Sequence, residues 1–391
     1  MMKELICIKV IGLFLLTIFF TMPSSSMGVS EAVKETYEKN ILPSTTFKDL
    51  SLEDDAFHST DDIFHIETWY FDAVFSNEYS MAVIVSVVQK GRIGSVLTGL
   101  YIYKNGELIH RPRTFHPIGK LTVSEEKLDM KISDETTMSC DIDLGSWVYQ
   151  LTEDFDDVSL NLQFVNMSPG WKTDITGGWW LVNPRLDVTG WIKIHDKKIP
   201  VTGEGYHDHN WFYLYTPFLQ KGWHFGNIAG DNLGITWATV LKDTGLNEVI
   251  GVINQKQKHP INVDSKDITL SINKYMWCNR KKIPKEYSIV IQNDNIHVNL
   301  DIKTVSTNHV KLPMLNYWRI HSRITGAITV ASETEKIDTI AISELMKFSR
   351  VYDPEENLVG ESRLKLSLLI QQLFEKMHNP ILKRLFSHIL Y

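Results

Sequence analysis

Short runs of β-branched and aromatic residues recur through the middle of this chain with turn signals between them, and that cadence constrains the fold most. Ile66–Phe75 reads as a strand, Ser76-Asn77-Glu78 as a turn, and Met81–Val88 as the next strand. Leu100–Tyr103 and Leu108–His110 flank Asn105-Gly106, a hairpin signal. Ser159–Phe164, Asp187–Ile194 and Gly234–Val240 continue the series. Such spacing predicts a sandwich or a barrel. No long amphipathic pattern precedes Ser362.

The chain has 391 residues, enough for two or three domains, and it carries a faint internal repeat. Thr189-Gly190-Trp191-Ile192-Lys193-Ile194 aligns with Thr325-Gly326-Ala327-Ile328-Thr329-Val330 at a spacing of 136 residues. Carried forward, that spacing sets Asp208 opposite Glu344. Two copies of one barrel or sandwich are expected, over 64–220 and 221–350.

The unusual chemistry lies in the first copy, in Gly203-Glu204-Gly205-Tyr206-His207-Asp208-His209-Asn210-Trp211. In an extended chain, side chains alternate between faces. Tyr206, Asp208 and Asn210 then share one face, and His207, His209 and Trp211 the other. Ionisable groups beside large aromatics predict a cavity wall. Glu67 faces inward if Trp69 does, and would pair with Arg185 or with a histidine of this segment. Asn183-Pro184 before Arg185 is a turn signal. His207-x-His209 also has the spacing at which a strand presents two imidazoles to a metal. Completing such a site needs partners from His224, His195, Glu204 or Glu67, and the sequence forces no set.

The two ends differ from the middle. Lys3 and Lys9 precede or border an apolar run, Val10–Met22, followed by Pro23 and three serines. That is the pattern of a signal peptide or anchor over 1–28, and it predicts an exported protein, extracytoplasmic or secreted. Residues 29–63 read as a linker with short helical pieces. In the tail, 351–391, Leu364, Leu366, Leu369, Ile370, Leu373, Phe374 and Met377 recur near helical spacing. A helix packed across the barrels is expected there, with an interfacial membrane helix as the alternative; an uncleaved leader would also hold the chain at a membrane surface. The formal net charge of -7 argues against a nucleic-acid partner. Beyond Cys7 of the leader, only Cys140 and Cys278 remain, too few for a disulfide framework. No nucleophile elbow, P-loop or dinucleotide fingerprint is present.

Trp69-Tyr70-Phe71-Asp72-Ala73, Trp179-Trp180, the Gly203–Trp211 segment and Trp223-x-x-Gly226 together resemble the carotenoid 1,2-hydratase (hydroxyneurosporene synthase) superfamily. That group includes AttH-like proteins, fungal kievitone hydratase and some fungal Diels–Alderases. The resemblance spans roughly residues 60 to 350. It implies an all-β chain of two tandem lipocalin-like antiparallel barrels that binds an apolar small molecule without metal or other cofactor. It departs from the pattern at Phe212, where the family commonly has Gly, and at Thr68, where it commonly has Trp.

The resemblance also implies that Asp208 is the acid of a hydratase, a carbon–oxygen lyase, or serves a related isomerase or cyclase. Elementary chemistry permits this. Adding water to an isolated alkene begins with protonation of carbon, which needs an acid kept neutral near pH 7, as an apolar pocket can keep it. Tyr206, His207 and His209 join Asp208 as candidate catalytic residues. Trp179, Trp180, Trp211, Asn210, Trp69, Glu67 and Trp223 are the candidate substrate-binding set, the aromatic faces serving a cation by cation–π attraction. A non-catalytic carrier of an apolar ligand, or a cell-envelope protein that has lost its pocket, would use the same scaffold.

Overall fold

The computed structural model describes residues 50–60, 64–175, 178–213, 222–242, 245–279, 281–312 and 315–348. The leader, most of the linker and the amphipathic tail lie outside them.

Strands dominate because the apolar residues alternate and few runs favour helix. The first sheet holds β1 (His65–Phe75), β2 (Tyr79–Lys90), β3 (Ile93–Lys104), β4 (Glu107–His110), β5 (Arg113–Pro117), β6 (Leu121–Val123) and β7 (Asp129–Ile132). It continues with β8 (Thr136–Asp143), β9 (Ser146–Phe155), β10 (Val158–Asn166), β11 (Trp171–Ile175), β12 (Gly178–Ile194) and β13 (Lys197–Tyr213). The second sheet holds β14 (Gly222–Ala229), β15 (Leu233–Lys242), β16 (Gly245–Gln255), β17 (Lys258–Val263), β18 (Ile268–Cys278), β19 (Lys281–Gln292), β20 (Ile296–Leu312), β21 (Leu315–Val330) and β22 (Glu333–Phe348).

The sheets share a topology. The first runs β4-β3-β2-β1-β13-β12-β10-β9-β8-β7-β6, with β11 beside β12 and β5 beside β3; the second runs β17-β16-β15-β14-β22-β21-β20-β19-β18. In each, the opening strand pairs antiparallel with the last, β1 with β13 and β14 with β22. The chain is all-β, two curled antiparallel sheets that form tandem lipocalin-like half-barrels. Both belong to one compact unit, Glu35–Lys311 with Asn316–Phe348.

The repeat is visible in the backbone. Gly190 in β12 and Gly326 in β21 both have φ of 145°, and His195 and Ala331, in the turns that follow, have φ of 51° and 53°. A Cβ on Gly190 would lie 2.2 Å from the Asn161 carbonyl, and one on Gly326 would lie 2.0 Å from that of Asn299. Both strands therefore cross a neighbour too closely for any side chain. The Asn105-Gly106 turn has positive φ at both residues, as a two-residue hairpin requires. Asn183-Pro184 departs from expectation. It forms no turn but a bulge within β12, where the register against β13 slips between Asn183 and Leu186. Proline lacks the amide that the ladder would use, and a bulge accommodates that loss.

Each sheet wraps its own core. Phe71, Val83, Leu100, Met138, Leu162 and Phe164 belong to the first, and Ile235, Trp237, Ile289, Leu300 and Ile328 to the second. Near the start of β13, Lys198–Thr202 alternate between exposed and buried, but Gly205–His209 are all buried. Trp69–Ala73 of β1 behave alike. Those two segments are covered on both faces, by the first core on one side and by the second sheet on the other, where β1 meets β22 and β12 meets β14. The two cysteines are free thiols, Cys140 buried and Cys278 half-buried.

Candidate functional site

The alternation read from the sequence divides the His-Asp-His segment between two environments. On the face toward the second sheet, β1 and β13 build a checkerboard of tyrosines and aspartates. Tyr70 lies opposite Asp208 and Asp72 opposite Tyr206. Tyr206 donates to Asp208 Oδ2 at 2.9 Å, Tyr70 donates to Asp72 Oδ2 at 3.0 Å, and Asn210 donates to Asp208 Oδ1 at 2.7 Å. The Trp180 indole also donates to Asp208. Aromatic walls close around them. Tyr206 lies 5.2 Å from Phe225, and Trp180 lies 5.5 Å from the same ring, edge-on.

The second sheet contributes Glu344 and Arg319. The Arg319 guanidinium reaches Glu344 at 3.4 Å, Tyr317 at 2.9 Å and Tyr103 at 3.1 Å. It also lies over the rings of Tyr101, Tyr317 and Tyr70, at 4.4, 5.3 and 5.4 Å. Tyr317 donates to Glu344. Three carboxyls thus share a buried space with a single guanidinium. Burial, then repulsion from Glu344, pushes the Asp208 carboxyl up to about 8. The same two causes hold Asp72 well above the usual carboxylate range. Asp208 is therefore a largely neutral acid near pH 7.

Beside this cluster, Asp72, Gly205 and Tyr206 line an open cleft of about 270 Å³, with Asn227, Ala229 and Ile342 of the second sheet opposite. Asp208 does not line the cleft itself, but it accepts the hydroxyl of Tyr206, a residue that does.

His207 and His209 point the other way, into the first half-barrel. His207 donates from Nδ1 to the Tyr70 carbonyl at 2.9 Å and from Nε2 to Asp55 at 3.1 Å. His209 Nε2 donates to Glu67 at 2.9 Å, and its Nδ1 stands 3.1 Å from Asp55 without an aligned hydrogen bond. Trp69 stacks on His209 at 4.2 Å and Trp179 meets it edge-on at 4.7 Å. Burial disfavours charge on Asp55, Glu67 and His209, and their ion pairs outweigh it. Asp55 and Glu67 are held below the usual carboxylate range, and His209 is raised.

The eleven residues singled out in the sequence therefore fall into separate groups. Tyr206, Asp208, Asn210 and Trp180 surround the neutral carboxyl. His207, His209, Glu67, Trp69 and Trp179 form the histidine–carboxylate cluster behind the strand. Trp211 stacks on His65 at 5.4 Å on the same rear face, and Trp223 is half-buried on β14. Glu67 takes a histidine partner rather than Arg185, which instead donates to the carbonyls of Gly230 and Asp231. His195 pairs with Asp157 at 3.8 Å on the surface, and Glu204 lies 3.5 Å from Arg185, so neither joins His207 and His209. His224 is buried at the second core, beside Tyr287.

Sequence reasoning missed Asp55, His58, Asp72 and Arg319. Asp72 stood inside the first aromatic motif, two residues from Tyr70, and the period of two would have placed it on the same face as Tyr70. Glu344 was signalled by the 136-residue spacing alone.

Fold and site together define a tandem lipocalin-like protein with a buried acid where its two sheets meet. Among solved structures, the chain is similar to a protein described as AttH from Nitrosomonas europaea, with TM-score 0.60 and 13% identity over 78% of this chain and 99% of that one. It is also similar to kievitone hydratase from Nectria haematococca, with TM-score 0.51 and 9% identity over 80% and 95% of the two chains. CghA, solved with Sch210972, matches with TM-score 0.51 and 11% identity over 78% and 98%. No family model and no curated protein matches the sequence. The chain has the fold of the AttH-like tandem lipocalin-like group, as the resemblance implied.

Proposed function

We propose that this chain is an exported hydratase-like enzyme that adds water to an apolar, terpenoid-type alkene, with Asp208 as the acid. The observation that carries the reading is a carboxyl pushed up to about 8 by burial and by Glu344, inside an aromatic enclosure beside a cleft. In the reaction, Asp208 gives its proton to one alkene carbon and the neighbouring carbon becomes cationic. Tyr206, Trp180 and Phe225 offer electron-rich faces to that charge. Water then bonds to the cationic carbon and returns a proton to the Asp208 carboxylate, so the acid is regenerated. His207 and His209 lie behind the strand and hold it in place, while Asn210 and Tyr206 orient the carboxyl. Export rests on the leader pattern, and association with a membrane surface on the leader or tail.

The alternative is a non-catalytic carrier of an apolar ligand. It is favoured by the saturation of Asp208, whose two oxygens accept from Tyr206 and Asn210. The experiment incubates the chain with a set of acyclic terpenoid alkenes in ¹⁸O-labelled water and reads products by mass spectrometry. The hydratase reading expects one labelled oxygen per product, and Asp208→Asn to lose at least about 100-fold in turnover while retaining ligand binding. A parent protein that binds but never incorporates label establishes the carrier. Labelled product undiminished in Asp208→Asn removes Asp208 from the chemistry.

A further inference from the structure

We propose that His58, Glu67 and His209 form a binding site for a divalent transition metal of zinc type, on the face of β13 opposite Asp208. The three residues come from separate segments, the stretch after the 3₁₀ turn Leu52–Asp55, β1 and β13. Their donor atoms all lie within 4.8 Å of one another. Glu67 Oε1 is 2.9 Å from both His58 Nδ1 and His209 Nε2. Tetrahedral bonds of about 2.0–2.2 Å need ligand atoms roughly 3.3 Å apart, so an ion is accommodated by small outward shifts. Two imidazoles and one carboxylate are a donor set suited to zinc, with a fourth position left open.

The surroundings support metal binding in three ways. First, the Glu67 carboxylate is oriented. The His58 backbone amide donates to both Glu67 oxygens, at 3.0 and 3.1 Å. Second, the free nitrogen of one ligand faces an outer carboxylate. With Nε2 toward the ion, His209 Nδ1 stands 3.1 Å from Asp55 Oδ1, the place of an outer carboxylate with which a small ring rotation would align a hydrogen bond. Third, aromatic rings hold the His209 imidazole in place, Trp69 stacked on it at 4.2 Å and Trp179 edge-on at 4.7 Å. Entry is from the His58 side, whose side chain is 34% exposed while Glu67 is fully buried. The Trp179 ring borders this mouth, 4.9 Å from His58 and beneath the Lys172 ammonium at 4.1 Å. The site shares no residue with the acid cluster and does not depend on it.

The experiment dialyses the full chain against a chelator and titrates it with zinc in competition with a chromophoric indicator. Cobalt is then added as a spectroscopic probe. The expected result is one zinc per chain and a tetrahedral cobalt spectrum. His58→Ala and Glu67→Gln should each weaken zinc at least about tenfold. His58 is partly exposed, so His58→Ala should melt near the parent temperature and separates loss of a ligand from loss of fold. His110→Ala, whose ring lies 5.5 Å from that of His195 and far from these ligands in the fold, should leave affinity unchanged, and Asp208→Asn should do likewise. Absence of stoichiometric zinc leaves a purely proton-bridged network and overturns the proposal. So does binding that survives His58→Ala, or that is lost in His110→Ala.

Discussion

Asp208 feels the charge of Glu344, the residue that occupies its place in the second half-barrel. The two stand 136 residues apart, the spacing that also relates Gly190 to Gly326 and His195 to Ala331. One copy of the repeat supplies a carboxyl that burial favours in its neutral form, and the other supplies the carboxylate whose repulsion adds to that preference. The acidity of Asp208 is thus a property of the pair of sheets, and neither sheet holds it alone.

Removing the charge of Glu344 tests that dependence. Glu344→Gln abolishes the repulsion that raises Asp208 and frees the Arg319 guanidinium to favour carboxylate forms nearby. Both changes act downward, so the Asp208 titration should fall from about 8 by about one pH unit or more. Carbon-detected NMR of the aspartate carboxyls across pH 4–10 reads the midpoint directly. A midpoint that stays at the parental value would break the proposed link between the sheets.

Arg319 should prove intolerant of change. It is buried, it lies 3.4 Å from Glu344, and it packs against three tyrosine rings. Arg319→Met leaves Glu344 without a counter-charge in a buried setting, at a cost of about 3–5 kcal/mol. Arg319→Lys recovers little, because an ammonium lacks the planar fork that reaches Tyr103, Tyr317 and Glu344 together. Adding Glu344→Gln to Arg319→Met should restore much of the loss, since the pair is then absent as a whole. Urea melts of the four proteins form the cycle, and strict additivity would show that the two residues do not interact.

The sequence made some of this legible and hid the rest for identifiable reasons. Alternation is a local property, so the division of Tyr206, Asp208 and Asn210 from His207, His209 and Trp211 could be read directly. The repeat required only a glycine that tolerates no side chain, and Gly190 and Gly326 mark it. Asp55 is different. It lies in an acidic run, Glu53-Asp54-Asp55, that resembles any solvated turn, and its partner His207 is 152 residues away. Pairing across such a distance leaves no periodic trace. Arg319 likewise sits in an ordinary alternating strand. Only the approach of the second sheet to β1 converts it from a surface cation into the counter-charge of Glu344.

Asp55 carries a structural consequence of its own. It bridges His207 and His209 from outside the sheet, and it is fully buried. Asp55→Asn keeps the shape but withdraws the charge that stabilises both imidazoles, at a cost of about 3 kcal/mol. The loss should be concentrated where residues 50–60 cover the first half-barrel. Amide exchange should therefore accelerate at Trp69 and Phe71 of β1 more than in the second core. Equal acceleration in both cores would mean that this segment does not act locally.

The protonation state of Asp208 should also appear in stability, and the sign is fixed by linkage. In the unfolded chain the carboxyl loses its proton near the ordinary value of 3.8, and in the folded chain it holds the proton up to about 8. Between those values the native state binds more protons, so this group's contribution to stability is complete below about 4 and is lost as pH rises to about 8. Asn at position 208 cannot titrate. The stability of Asp208→Asn relative to the parent should therefore shift steadily in the variant's favour across that window, by up to about 1.4 kcal/mol per pH unit. Any constant cost of refitting the amide among Tyr206, Asn210 and Trp180 offsets the line without changing its slope. Glu153, also pushed up to about 8 by burial, titrates identically in both proteins and cancels from the difference. Urea melts at pH 5, 6, 7 and 8 give the slope. A difference that does not vary with pH would mean that Asp208 is already charged in the folded protein, and proton donation from it would have to be abandoned.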